Sequence, residues 1–267
     1  AECADKFGGD AVPTRQDSLG LILPEPYGVV GAIAPWNFPL SMASWKCGPA
    51  LAAGNAIVLK PSELTPFSTL RFAELAVEAG VPPGVFNVVN GLGTGAGAAL
   101  VRHPLIRKVS FTGSTATGAA IMSVAAHHGM KPVTLELGGK SPQLVFDDAG
   151  DLAALADRIV RGFTSNAGQA CVSGTRLIVQ RKIAEPLLDA VTAQVATVVP
   201  GPTWREATRY APLISERQAN KVAGAVSESV AQGAQARCGG SFFDLGLDGF
   251  YYRPTVLTDV TDDMIAV

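Results

Sequence analysis

The sequence predicts an α/β chain wound in both directions around a parallel sheet, and two observations carry that prediction. Short apolar runs of strand length recur from Val29 onward, and each is followed by a helical segment with a readable start or stop. Glycine-rich turns also fall where a strand hands over to a helix. Such alternation implies βαβ crossovers and a parallel sheet covered on both faces. With 267 residues the chain is long enough for one large or two medium domains and a sizeable core.

Taken in order, residues 8–34 alternate apolar and polar residues and then become continuously apolar, which predicts a hairpin arm followed by a buried strand. In APWNFPL, Pro35 and Pro39 forbid a regular helix or central strand through Trp36, Asn37 and Phe38, leaving a rigid loop at a strand end. Residues 41–53 read as a helix stopped by Gly54, with a kink or break expected at Pro49. A short strand over 55–60 precedes a helix with Thr65 at its cap, Pro66 at its first position and Gly80 at its end. Ser68, Arg71, Glu74 and Glu78 mark its wet face, assigning Phe67, Leu70 and Val77 to the core.

Strands at 85–89, 108–111 and 132–137 then alternate with helices at 94–102 and 114–126. Past Gly138-Gly139, the expected domain boundary, the pattern restarts. QLVF is a strand, 151–163 a helix and 176–180 a strand, followed by helices at 182–197 and 215–232. Ser215 and Gln218 form a capping box for the last of these, and short strands at 236–238 and 254–257 close the chain. AECADKF reads like the tail of a helix and VTDDMIAV like the middle of a longer segment, so a fragment is expected.

Composition narrows the function. Lys plus Arg number 21 against 23 Asp plus Glu, so a net charge of −2 gives no electrostatic case for nucleic acid or an anionic membrane. No segment has the length of a membrane span and no basic-apolar leader opens the chain. The four cysteines are scattered, without a CxxC pair or clustered histidines, which predicts no metal site and a reducing, cytoplasmic setting.

Two glycine turns compete as phosphate sites. GLGTGAG, containing Gly93, lacks an acid about twenty residues on and reads first as a tight strand-to-helix turn. FTGSTATG offers backbone amides and hydroxyls from Gly113, Ser114 and Thr115 at a helix N-terminus, with Gly118 one turn inside; an ordinary capped helix start reads equally well. In VLKPSE a strand delivers Lys60 and Glu63 to its carboxyl end, where open α/β sheets bind ligands. A carboxylate there suits a ribose diol and repels a 2′-phosphate, favouring NAD over NADP, although the neighbouring Lys60 leaves NADP possible.

Cys171 sits in TSNAGQACVSGTR among small and polar residues, unlike a stretch of apolar core. A nucleophilic thiol needs an electropositive site or a base; a packed one needs neither. His103, His127 and His128 lie in no base motif and read as surface residues, which argues against a Cys-His hydrolase. Cys47 reads as packed, and Cys3 and Cys238 carry no signal.

APWNFPL, VLKPSE, FTGSTATG, TLELGGKSP and NAGQAC, in this order, resemble the NAD(P)-dependent aldehyde dehydrogenase superfamily. The resemblance covers nearly all the chain and is carried most specifically by LELGGKSP and GQxC. It implies a cofactor-binding domain over 28–137, part of a catalytic domain over 138–267, and an oligomerisation hairpin within 1–27 that makes the full-length protein a homo-oligomer. It further implies that Cys171 attacks an aldehyde to form a thiohemiacetal and then a thioester, that Glu136 is the general base, and that Asn37 donates to the oxyanion. Trp36, Lys60, Glu63, Gly93, Gly113, Ser114, Thr115, Gly118, Leu137 and Gly138 are the implied NAD(P) contacts. The implied substrate is a small-molecule aldehyde, with a pocket near Phe38, Met42, Trp45 and Phe163 that suggests an apolar or aromatic side chain. Ser173 and Thr164 depart from the family's commoner residues without touching this chemistry. The alternatives are a relative that passes its acyl group to coenzyme A, against which Glu136 argues, and a non-catalytic remnant that still binds the nicotinamide cofactor.

Overall fold

The computed structural model describes residue 6 and residues 8–267. Cys3 and most of AECADKF, with the helix tail expected there, lie outside the described residues. The chain divides into two compact units, one ending at Leu137 and the other running from Gly138 to Val267.

The first unit opens with a short antiparallel pair, β1 (Asp10–Val12) and β2 (Gly20–Ile22). Leu19, Leu21, Ile22 and Leu23 on this arm are exposed. A five-stranded sheet follows, formed by β3 (Val29–Ile33), β4 (Ala56–Lys60), β5 (Phe86–Val88), β6 (Ile106–Thr112) and β7 (Val133–Glu136). Its order is β5-β4-β3-β6-β7 and every neighbouring pair is parallel. The order reverses at β3, so β3 and β6 flank the switch point where this topology opens a crevice at the strands' carboxyl ends.

Helices α1 (Pro39–Ala52), α2 (Phe67–Glu78), α3 (Ala98–Arg102) and α4 (Thr115–His127) connect these strands. Two apolar clusters result. One joins Ile33, Val109 and Phe111 to Leu100 and Ile121; the other joins Ala32, Ile57 and Leu59 to Ala43, Cys47 and Phe86. Gly31 on the central strand has α3 so close that a Cβ there would lie 2.5 Å from a Leu100 methyl.

Several sequence expectations need correction here. Helix α1 does not break at Pro49; the missing amide falls in its last turn, and Ala53 N–H still donates to the Pro49 carbonyl at 3.0 Å. Thr65 does not cap α2: its hydroxyl donates to the Trp36 carbonyl at 3.2 Å, tying the helix entry to the loop after β3. The face α2 buries is Thr69, Phe72, Ala73 and Ala76, with Phe72 edge-on to Phe86 at 5.3 Å, whereas Phe67 and Val77 are exposed. The small residues let the helix approach the sheet, and an apolar count alone misassigned its phase. The helix expected from Thr94 begins as a π-helical turn over Gly93–Gly97 before α3.

In the second unit β8 (Pro142–Val145) and β9 (Arg176–Val179) pair in parallel beneath α5 (Leu152–Thr164) and α6 (Ala184–Val195). Asp151 caps α5 by accepting from the amides of Ala153 and Ala154. A second core gathers Ala167, Tyr210, Leu213, Ala219 and Tyr252 around α7 (Glu216–Ala231), which Ser215 caps by accepting from Gln218 N–H, the first half of the expected capping box. The antiparallel pair β10 (Gln235–Cys238) and β11 (Val256–Thr258) completes the unit.

Candidate functional site

The residues singled out in the first unit lie at one edge of its sheet. Because β3, β4, β6 and β7 are mutually parallel, the segments that follow them emerge on the same side. The loop after β3 carries Trp36 and Asn37, both half-buried. Lys60 ends β4 and is buried, and its Nζ meets Glu63 Oε2 at 3.0 Å, while the Glu63 side chain remains 45 % exposed. A buried ammonium needs such a partner, and the partner keeps a face to solvent where it can accept further hydrogen bonds.

After β6 come Thr112, Gly113 and Ser114, then α4. Ser114 accepts from Thr117 N–H and so caps the helix. The amides of Thr115 and Ala116, ahead of the first intrahelical bond from Gly118 to the Ser114 carbonyl, have no acceptor within the helix. Thr112 Oγ1 is buried with no hydrogen-bond partner among the described residues. Bulk is excluded as well: a Cβ on Gly113 would lie 2.5 Å from the Phe111 ring, and one on Gly118 would lie 2.8 Å from a Leu137 methyl. An orphaned hydroxyl, helix amides and a carboxylate at a switch point fit a dinucleotide.

The other glycine turn fits less well. The amides of Gly95 and Gly97 both donate to the Leu92 carbonyl, and the helix they open is only five residues long. Gly93 itself is uncrowded, with nothing within 4 Å of a built Cβ.

Glu136 ends β7 directly beside Thr112, and its carbonyl accepts from Gly113 N–H at 3.0 Å. Its carboxylate is exposed and exerts a field on Lys46 of α1. Lys46 is the residue the sequence did not disclose. Burial pulls its ammonium down to about 8, the Glu136 charge partly opposing, and its Nζ donates to Ser110 Oγ at 3.1 Å. A cavity of about 470 Å³ lies against it, walled by Tyr27, Trp45 and Pro49. Lys46 lies over β6, next to the strand that ends in Glu136, a placement that could be read only once the strand order was known. Leu137 packs into the sheet's core and Gly138 begins the second unit.

In the second unit Cys171 is exposed at the end of a turn with unusual backbone. Asn166 and Ala167 have φ of 51° and 55°, and Gly168 follows at 74°. Thr164 Oγ1 donates to the Val160 carbonyl at 2.7 Å at the end of α5, and Ser173 Oγ donates to the Gly168 carbonyl at 3.4 Å across the turn. Gly139 passes so near that a Cβ would lie 2.7 Å from the Cys171 carbonyl oxygen. Cys47 differs in exposure: it is buried on α1, where burial pushes its thiol up to about 12. Phe163 is half-buried against the core of its own unit, while Phe38 and Trp45 are exposed and Met42 half-buried in the other. All three histidines are exposed.

Comparison with known proteins gives a consistent result. The sequence matches the aldehyde dehydrogenase family over residues 1–267. An aldehyde dehydrogenase of Agaricus bisporus is 45 % identical over 261 residues, 98 % of this chain and 52 % of that protein. The NAD+ complex of an aldehyde dehydrogenase from Bacillus cereus superimposes with a TM-score of 0.94 at 45 % identity, covering 99 % of this chain and 53 % of that one. A mutant indole-3-acetaldehyde dehydrogenase of P. syringae, in complex with NAD+ and IAA, gives 0.95 at 43 % identity, covering 99 % and 54 %. The chain thus spans about half the length of the relatives it matches.

Proposed function

Since the chain belongs to the aldehyde dehydrogenase family, we propose that the protein of which it is part oxidises an aldehyde to a carboxylic acid with NAD+. The observation that carries this reading is the gathering of Asn37, Lys60, Glu63, Thr112, Gly113 and Glu136 at the carboxyl edge of one parallel sheet.

Residues 28–137 are read as the cofactor domain. Lys60 and Glu63 hold the adenosine ribose, and the amides after Gly113 together with Ser114, Thr115 and Gly118 take the pyrophosphate. Trp36, Leu137 and Gly138 line the nicotinamide path, with Gly93 at its margin. The Glu63 carboxylate selects NAD over NADP by repelling a 2′-phosphate. When bound, NAD+ supplies the acceptor for hydride.

Cys171, as the thiolate, adds to the aldehyde carbon to form a thiohemiacetal, and Asn37 donates a hydrogen bond to the alkoxide that develops. Loss of hydride from that carbon leaves a thioester on Cys171. Glu136 then removes a proton from water, the resulting hydroxide adds to the thioester carbonyl, and the thiolate leaves as the acid forms. Phe38, Met42 and Trp45 favour an apolar or aromatic aldehyde. The arm at 1–27, with its exposed leucines, is read as a contact between copies in a homo-oligomer. A cytoplasmic location follows from a nucleophile that must stay reduced; no helix among the described residues is long and apolar enough to cross a membrane.

The test is the appearance of NADH when the protein meets NAD+ and a panel of aliphatic and aromatic aldehydes. Acid and NADH formed in equal amounts are expected; acyl transfer to added coenzyme A without acid would replace this reading.

A further inference from the structure

We infer that Gln169 is a positioning residue for Cys171: with Ala167, it holds the nucleophile's turn in a left-handed conformation that the backbone would not keep unaided. The inference rests on the reading of Cys171 as the nucleophile.

Three successive residues, Asn166, Ala167 and Gly168, have positive φ. Glycine enters this region freely, whereas residues with a Cβ do so against a steric penalty and persist there only when their surroundings fix them. Two holds are visible, and both lead to one strip of chain. The Ala167 side chain is buried in the cluster of Tyr210, Leu213 and Tyr252. The Gln169 carboxamide donates through Nε2 to the Asn166 carbonyl at 3.1 Å and accepts through Oε1 from Ile214 N–H at 2.9 Å.

Leu213 and Ile214 immediately precede Ser215, the cap of α7. The turn is therefore fastened by its methyl group and its amide to the rigid start of a sixteen-residue helix. Asn166 Nδ2 returns a bond to the Gln169 carbonyl at 3.3 Å, closing the turn on itself. Cys171 follows two residues later, and its sulfur takes its place from this geometry. Nucleophilic attack tolerates little displacement, with about a hundredfold loss for 1 Å.

Hydrogen exchange on the 267-residue chain tests the latch without reference to catalysis. Gln169→Leu removes the carboxamide bonds to Asn166 and Ile214; it is expected to speed exchange at Ile214 and across 165–173 by at least about tenfold, since each lost hydrogen bond is worth about 1 kcal/mol. Exchange in α5 and β9 should not change. Gln169→Glu keeps an oxygen for Ile214 N–H and loses the donor to Asn166, so Ile214 should stay protected while 165–168 exchanges faster. Wild-type exchange in the turn of either folded variant would overturn the inference, as would an equal rise throughout the second unit, which marks a residue serving only global stability. If Gln169→Leu does not fold, the Glu variant alone decides.

In NADH formation, kcat should fall at least about tenfold in Gln169→Leu, less in Gln169→Glu, with the KM for NAD+ unchanged within about twofold. A wild type that forms no NADH would count against the proposed reaction, and the exchange pattern would still decide the latch.

Discussion

The carboxyl edge of the five-stranded sheet and the turn carrying Cys171 place their proposed functional groups by opposite means. At the sheet edge, parallel order does the placing: regular strands end side by side, and the residues following them are brought together by topology. At Cys171 irregular backbone does it, through three positive φ values fastened by side chains distant in sequence. The first arrangement is set by strand order more than by any one side-chain contact. The second depends on a few specific contacts, so it concentrates sensitivity where the chemistry is proposed to occur.

The sharpest test of that contrast is Cys171→Ala. It should lower acid formation at least about 10³-fold, as loss of a nucleophile does, while NAD+ binding measured by calorimetry stays at the wild-type value. Residual turnover near that of the wild type would remove Cys171 from the chemistry altogether. Glu136→Gln comes next, with an expected loss of about 10²–10⁴-fold concentrated in release of the acid. Rapid-mixing kinetics should then show a burst of NADH followed by a slow steady state. A slow first turnover would instead place Glu136 in activation of the thiol.

These two regions also differ in how far they could be read from the sequence. The order of strands and helices in the first unit was legible because each strand is a short apolar run and each helix has a local stop or cap, as with Gly54, Gly80 and Ser114. The phase of α2 was not. Its buried face is made of Thr69, Ala73 and Ala76 around Phe72, and small residues leave no hydrophobic signature, so Phe67 was assigned inward although it is 82 % exposed. Lys46 was missed because its significance depends on strand order, which puts Ser110 beneath it. At Cys171 the motif marked the residue, but nothing local in NAGQAC announced that Asn166 and Ala167 would be left-handed. That conformation is imposed by Tyr210, Leu213 and Ile214 more than forty positions on.

A smaller effect sharpens the account of the sheet edge. Gly113→Ala would bring a methyl within 2.5 Å of the buried Phe111 ring. The ring has little room to yield, so a destabilisation of about 1–3 kcal/mol is expected, with weakened NAD+ binding. Urea denaturation beside cofactor titration separates the two. Full stability with lost binding would mean that the glycine serves the ligand alone, and lost stability with unchanged binding that it serves only packing.

The smallest expected effect concerns Lys46, which sets a half-buried lysine against the buried Lys60. Lys60 is paired with Glu63 at 3.0 Å, whereas the ammonium of Lys46 meets the neutral Ser110 hydroxyl at 3.1 Å. Burial brings Lys46 from 10.5 down to about 8 in the folded chain. Below pH 8 both folded and unfolded chains hold the proton, and the full penalty of burying the charge is present. Between pH 8 and 10.5 the unfolded chain holds a proton that the folded chain has released, so stability rises with pH across that window and the penalty is gone above it. Lys46→Met should therefore stabilise the protein at pH 7, by roughly 1–2 kcal/mol once the lost bond to Ser110 is subtracted, with the gain shrinking toward zero by pH 10.5. Denaturation midpoints of the two proteins at pH 7 and pH 10 decide it: a variant no more stable than the wild type at pH 7 would mean the ammonium is compensated in place. A lysine that destabilises the fold at neutral pH, set under the field of Glu136, is the signature expected of a group kept for the site rather than for the fold.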